Sequence, residues 1–154
     1  ILSDSHNSRL AIENILAAEA DSIDALIFLG DGLRDLEQAL TFYPSLRAYA
    51  VAGNCDFGSE TKSSDLVKLS GKNVLITHGH TYYVKRSLSE LKTAARICRA
   101  SVVLYGHTHV AYTEYDGGLY IMNPGSLSIP RQGGPTYGIL DITSQGIMTN
   151  IVEV

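Results

Sequence analysis

What most limits the folds open to this chain is an alternation of two hydrophobic periods along its first hundred residues. Residues 25–29 read Ala-Leu-Ile-Phe-Leu with no polar face, the pattern of a strand covered on both sides. The preceding residues 8–20 carry Leu10, Ile12, Ile15 and Leu16 at three-to-four spacing, a helix with one apolar face that Asn7 or Ser8 can cap. Ile1 and Leu2 are then the end of a first strand, and its opening residues are expected to precede Ile1. Leu33, Leu36 and Leu40 mark a second helix, stopped by Pro44, and residues 46–52 form the next strand. Repeated strand–helix–strand units of this kind wind a parallel sheet.

The pattern then changes. Residues 65–69 and 74–77 read as strands joined at Gly71-Lys72-Asn73, and Leu88, Leu91, Ala95 and Cys98 share one face of a third helix. Residues 102–105 make another buried strand. Residues 110–115 and 119–122 alternate around Asp116-Gly117, and a last hairpin, 138–142 with 147–152, turns at Ser144-Gln145-Gly146. The expectation is one α/β domain over residues 1–154, with a parallel N-terminal half and an antiparallel C-terminal half.

Composition excludes several classes. No apolar run approaches the roughly 18 residues of a membrane helix. A net charge of −4, with no cluster of Lys and Arg, argues against a stable nucleic-acid partner held by charge. Two cysteines, Cys55 and Cys98, make no disulfide framework, so a cytoplasmic protein is expected.

All five histidines fall just past predicted strand ends, in Asp4-Ser5-His6, His78-Gly79-His80 and His107-Thr108-His109. Gly30-Asp31 and Gly53-Asn54-Cys55-Asp56 occupy the same kind of position. Loops beyond the carboxyl ends of parallel strands converge on one edge of an open α/β sheet, so these five segments are expected to meet. Carboxylates, an amide oxygen and imidazoles suit divalent ions such as Mn²⁺, Fe²⁺ or Zn²⁺. The set exceeds what one ion needs, and with Asp31 as a bridge it divides between two ions roughly 3.5–4 Å apart, the arrangement used in phosphoryl transfer. Two dications offset by Asp4 and Asp31 leave a locally positive site on an acidic protein. Each piece alone has a plainer reading. Asp-x-His after a strand is more commonly a capped turn, and Gly-Asp is weaker still. His-x-His on an extended segment is more specific, because side chains two apart point the same way.

Taken in order, Asp4-x-His6, Gly30-Asp31, Gly53-Asn54, His78-Gly79-His80 and Gly106-His107-Thr108-His109 resemble the signature of the calcineurin-like metallophosphoesterases. Gly53-Asn54-Cys55-Asp56, Thr77-His78-Gly79-His80 and Asn123-Pro124-Gly125-Ser126 resemble, more narrowly, the small YfcE-like phosphodiesterase branch, which is related to the retromer subunit Vps29. The resemblance covers essentially the whole chain and implies a four-layer α-β-β-α sandwich of two mixed sheets. It implies one ion on Asp4, His6, Asp31 and His109, and a second on Asp31, Asn54, His78 and His107. It also implies hydrolysis of small or nucleotide-like phosphodiesters by a hydroxide shared between the ions, with Mn²⁺ the expected metal and Zn²⁺, Fe²⁺ or Ni²⁺ as alternatives.

The departure is Cys55, which stands where larger relatives place a leaving-group-protonating His. Cys55 is a reactive thiol contacting substrate or a buried bystander, and Cys98 a core residue. His80, outside the ligand assignment, supplies a proton, binds phosphate or only orients His78. Arg131 contacts substrate or is a loop charge, Tyr82 and Tyr83 offer stacking surfaces or rim, and Asp56 and Asn7 shape their loops by turn bonds. Two other functions compete: a catalytically silent scaffold like Vps29, and a phosphomonoesterase of the same superfamily. A homo-oligomer is permitted but not demanded, and no membrane partner is expected.

Overall fold

The computed structural model describes residues 1–154. Its elements run α1 (Arg9–Glu19), β1 (Leu26–Phe28), α2 (Leu33–Leu40), β2 (Ala48–Ala50), β3 (Ser64–Leu69), β4 (Lys72–Thr77), a 3₁₀ turn (His80–Tyr82), α3 (Ser89–Ile97), β5 (Val102–Tyr105), β6 (Ala111–Asp116), β7 (Leu119–Pro124), β8 (Thr136–Thr143) and β9 (Gly146–Glu153). No helix is long and apolar enough to cross a membrane.

One sheet is assembled around the N-terminus. β1 pairs in parallel with β2, and Leu2 bridges Phe28 in parallel on the other side. Ile1 and Gly138 exchange backbone hydrogen bonds, which ties the β8–β9 hairpin to the same layer. The second sheet has five strands in the order β3-β4-β5-β7-β6.

Strand alternation sorts the apolar residues into three cores, one for each interface of a four-layer stack. Leu26 and Phe28 face α1 and α2, meeting Ile12, Ile15, Leu16, Leu33 and Leu36. Ile27 and Leu29 point the other way, into a core between the sheets with Val74, Ile76, Val102, Leu104 and Met122. Leu75, Val103 and Ile121 face the far side, where Leu91 and Ala95 of α3 cover them. The α-β-β-α sandwich and its mixed sheets stand as expected.

Several local expectations are corrected. The chain does not divide into a parallel and an antiparallel half: β7 pairs in parallel with β5 while β6 lies outside it, and the antiparallel β3–β4 pair sits mid-chain. Leu10 is 65% exposed rather than on the buried face of α1, and Ser8 is the cap residue but makes no side-chain cap bond. Lys72 and Asn73 already pair with β3, so the turn is Ser70-Gly71. Gly146 pairs with Thr143, which shortens the last turn to Ser144-Gln145. β7 runs on through Asn123 to Pro124.

Candidate metal centre

Every predicted ligand loop leaves the carboxyl end of a strand with a parallel neighbour: residues 4–6 after the Leu2 bridge, Asp31 after β1, Asn54 after β2, His78 after β4, and His107 and His109 after β5. The two sheets face each other, so these ends form one edge. There Asp4, His6, Asp31 and His109 make one donor group and Asp31, His78 and His107 a second, with the ligand atoms of each group within 4.8 Å of one another. Asp31 belongs to both. Asn54 joins the second group through its Oδ1, 3.1 Å from His78 Nε2.

The loops reach this arrangement by unusual backbone. Asp4, His6, Asp31, His107 and His109 all have positive φ, between 42° and 67°, a region that costs a non-glycine residue of order 1 kcal/mol. The extended geometry expected of the two His-x-His segments is therefore wrong. Gly79 lies at φ 101° and turns His80 into the 3₁₀ turn, while the left-handed bends at His107 and His109 send one imidazole to each donor group. Gly53 permits the close approach of two loops, since a Cβ there would meet the Asp31 carboxylate and amide.

The donor chemistry fits cations. His78 Nδ1 lies 2.7 Å from the Leu29 carbonyl and His109 Nδ1 3.0 Å from that of Ile129. A carbonyl only accepts, so each neutral ring carries its hydrogen on Nδ1 and presents an Nε2 lone pair. Those lone pairs face other acceptors: His109 Nε2 is 3.1 Å from Asp4 Oδ1, and His78 Nε2 is 3.1 Å from Asn54 Oδ1 and 3.5 Å from Asp31 Oδ2. Asp4 Oδ1 is buried with no hydrogen-bond partner. Two acceptors this close are held together only by a positive charge between them, a proton in the metal-free chain or a divalent cation in a coordination site.

Electrostatics agree. Burial alone would raise the Asp4 carboxyl, but contacts with His109, His6 and Ser3 and the nearby His78 outweigh it and hold it well below the usual carboxylate range. His6 is raised, chiefly by its contact with Asp4. His107 is lowered to about 4, first by burial and then by His78 and Lys85, so its ring is neutral and free to ligate at pH 7.

Supporting residues surround these donors. The Asp56 carboxylate accepts four backbone N–H groups: Asp31 and Gly53 at 2.8 Å on Oδ2, and Gly32 at 2.9 Å and Leu33 at 2.8 Å on Oδ1. It locks the Asp31 loop and the start of α2 onto the Asn54 loop, a larger role than turn bonds within its own loop. The Cys55 amide donates to Asp31 Oδ1 at 2.7 Å. Ser3 donates to Asp4 Oδ2 at 2.5 Å, and Ser126 donates to the Asp4 carbonyl at 2.8 Å. Asn123 spans the Gly106 carbonyl and Thr108 Oγ1. The Asn123-Pro124-Gly125-Ser126 motif thus buttresses two ligand loops. The sequence signal for this role is a pair of polar side chains, Asn123 and Ser126, at the end of an apolar strand, and both are fully buried.

The remaining candidates separate. His80 lies outside both donor groups, with ring centroids 5.4 Å from His78 and 6.0 Å from His107, and its Nδ1 is buried without a partner. Cys55 is exposed, not a buried bystander, and in the metal-free chain partial burial and the neighbouring Asp31 push its thiol up to about 11. Cys98 is half-buried at the end of α3, against the third core. Arg131 is exposed, and its amide donates to the His109 carbonyl at 2.9 Å, which places it beside the centre. Tyr82 packs on the third core, and Tyr83 is exposed with the Arg86 guanidinium 5.6 Å from its ring centre.

A sandwich of this topology with such a donor edge defines a class, and the chain belongs to it: the model of the calcineurin-like phosphoesterase superfamily domain matches residues 1–145. Within that superfamily it falls in the YfcE-like branch. It is 35% identical over 144 residues to a probable metallophosphoesterase of Bacillus subtilis, YsnB, covering 92% of this chain and 82% of that one. It is 33% identical over 162 residues to the phosphodiesterase YfcE of Escherichia coli, covering 90% and 84%. Among solved structures, an uncharacterised Streptococcus pneumoniae protein described as a predicted phosphoesterase superposes with a TM-score of 0.86 at 26% identity, covering 99% of this chain and 86% of that one. Vps29 of Entamoeba histolytica, at 18% identity, TM-score 0.73 and coverage of 99% and 95%, shares the fold.

Proposed function

We propose that this chain is a phosphodiesterase that works with two divalent ions, Mn²⁺ foremost, on small or nucleotide-like diesters. The observation that carries the reading is the pair of donor groups sharing Asp31, with lone pairs turned on one another. Asp4, His6, Asp31 and His109 would hold one ion, and Asp31, Asn54, His78 and His107 the other. When bound, the ions supply Lewis acidity, lowering the pKa of water and drawing charge from phosphate oxygens. The chain's own groups do the positioning. Hydrogen bonds to Leu29 and Ile129 keep His78 and His109 in the tautomer that ligates. The Asn54 amide, exposed at the mouth, contacts a phosphate oxygen, and half-buried His80, with its ring centre 5.4 Å from that of His78, is the second group toward the same phosphate. With Cys55 where larger relatives place the leaving-group acid, turnover favours esters whose leaving group departs unaided.

The substrate is a small molecule, not a membrane or a stably bound nucleic acid, and two unpaired cysteines suit the cytoplasm. A silent scaffold like Vps29 is the competing reading, and turnover decides between the two. Purified protein is assayed on bis(p-nitrophenyl) phosphate and p-nitrophenyl phosphate with Mn²⁺ and with chelator. Diester cleavage that needs metal and disappears in Asn54→Ala supports the proposal. Preference for the monoester, or no turnover with any of Mn²⁺, Zn²⁺, Fe²⁺ and Ni²⁺, overturns it.

A further inference from the structure

Five of the eleven exposed large hydrophobic residues lie within four residues of a residue that forms or flanks the centre: Leu10 after His6, Phe57 after Asn54, Tyr83 after His80, Tyr112 after His109 and Ile129 after Ser126. Scattered exposed apolar residues need no explanation, and Leu10 and Tyr112 belong to α1 and β6 rather than to a ligand loop. Among those on the loops themselves, Phe57 stands out. It is 90% exposed, more than any other large hydrophobic residue here, yet the two residues before it are held by hydrogen bonds. Asp56 next to it accepts four backbone bonds, and the Cys55 amide is tied to Asp31. The Phe57 Cα lies within ~7 Å of the Cys55 Cα, two residues of extended chain, so its ring is within reach of a group esterified to a phosphate held beside Asp31 and Asn54. Backbone held directly beside the ring lowers the ordering cost of a contact.

Resting on the hydrolytic reading above, we propose that Phe57 is a stacking platform for an aromatic or nucleobase ester group, which sets the substrate class as diesters carrying at least one flat ring. The ring acts on binding, not on the reacting atoms.

The test uses manganese-loaded protein and two non-hydrolysable probes, phenylphosphonate and methylphosphonate, with affinities measured by calorimetry. Wild type binds the phenyl probe more tightly, Phe57→Ala lowers the phenyl-to-methyl affinity ratio about tenfold, as loss of one aromatic stack does, and Phe57→Tyr restores it. With the diesters, KM for bis(p-nitrophenyl) phosphate rises by a similar factor in Phe57→Ala while kcat stays within about twofold. A ratio unmoved by Phe57→Ala, or no phenyl preference in wild type, overturns the proposal. So does an unmoved ratio accompanied by loss of a dimer in sedimentation, which would assign the ring to a second copy of the chain. Protein that cleaves diesters without a phenyl preference overturns the platform alone, and protein with the preference that cleaves no ester overturns the hydrolytic reading alone.

Discussion

Replacing Asp56 with Asn keeps the side chain's size but turns one acceptor oxygen into a donor. Each carboxylate oxygen accepts two backbone N–H groups, Asp31 and Gly53 on Oδ2, Gly32 and Leu33 on Oδ1. Whichever way the amide is seated, two of the four bonds are lost and an NH₂ faces two N–H donors. A hydrogen bond to a charged group contributes about 1.5–3 kcal/mol, so Asp56→Asn costs about 3–6 kcal/mol, a large share of the ~5–15 kcal/mol that holds a domain of this size together. The loss falls where Asp31 and Asn54 are positioned, so metal affinity drops as well. Urea unfolding followed by circular dichroism in chelator reads the first effect, and calorimetric Mn²⁺ titration at low temperature, where the variant is still folded, reads the second. A variant within about 1 kcal/mol of wild type that binds manganese equally well would show that the four-amide clamp is incidental.

Gly53→Ala should weaken manganese binding at least about tenfold with the fold intact by circular dichroism, because the new methyl collides with the Asp31 carboxylate and amide. Phe28→Ala, at a fully buried position between β1 and the helices, should lose about 3–5 kcal/mol of stability in urea while keeping the wild-type metal stoichiometry. In metal-free protein the folded His107 ring takes its proton only near pH 4, against an ordinary 6.5. The unfolded chain binds that proton first, so His107 removes stability as pH falls from about 6.5 toward 4. His6, raised in the fold, acts oppositely, adding stability below 6.5 that is lost as pH rises through its folded value. The difference between wild type and His107→Gln in chelator isolates the His107 contribution: the variant's urea midpoint should fall less steeply over that window.

Much of this was legible because two local signals coincide. Apolar runs such as 25–29 and 102–105 name their strands, and polar motifs placed directly after them name the edge where the loops meet. What stayed hidden depends on long-range pairing. Nothing in residues 119–124 says that β7 lies beside β5 with β6 outside it, and a local hairpin pattern reads the same either way. The left-handed backbone at His107 and His109 was masked because neither is a glycine, and with it went the expected extended geometry of His-x-His. Asp56 was legible as a loop carboxylate, but its partners, 23–25 residues earlier in sequence, appear only once the Asp31 and Asn54 loops are side by side. Leu10 lies about 200° around α1 from buried Ile12, on the side of exposed Asn14 and Ala17.

The most direct test is a crystal soaked in manganese and measured for anomalous scattering. Two peaks per chain are expected, roughly 3.5–4 Å apart, one among Asp4, His6 and His109, the other among Asn54, His78 and His107, with Asp31 between them. A single peak, or none at saturating manganese, would contradict the shared-carboxylate centre.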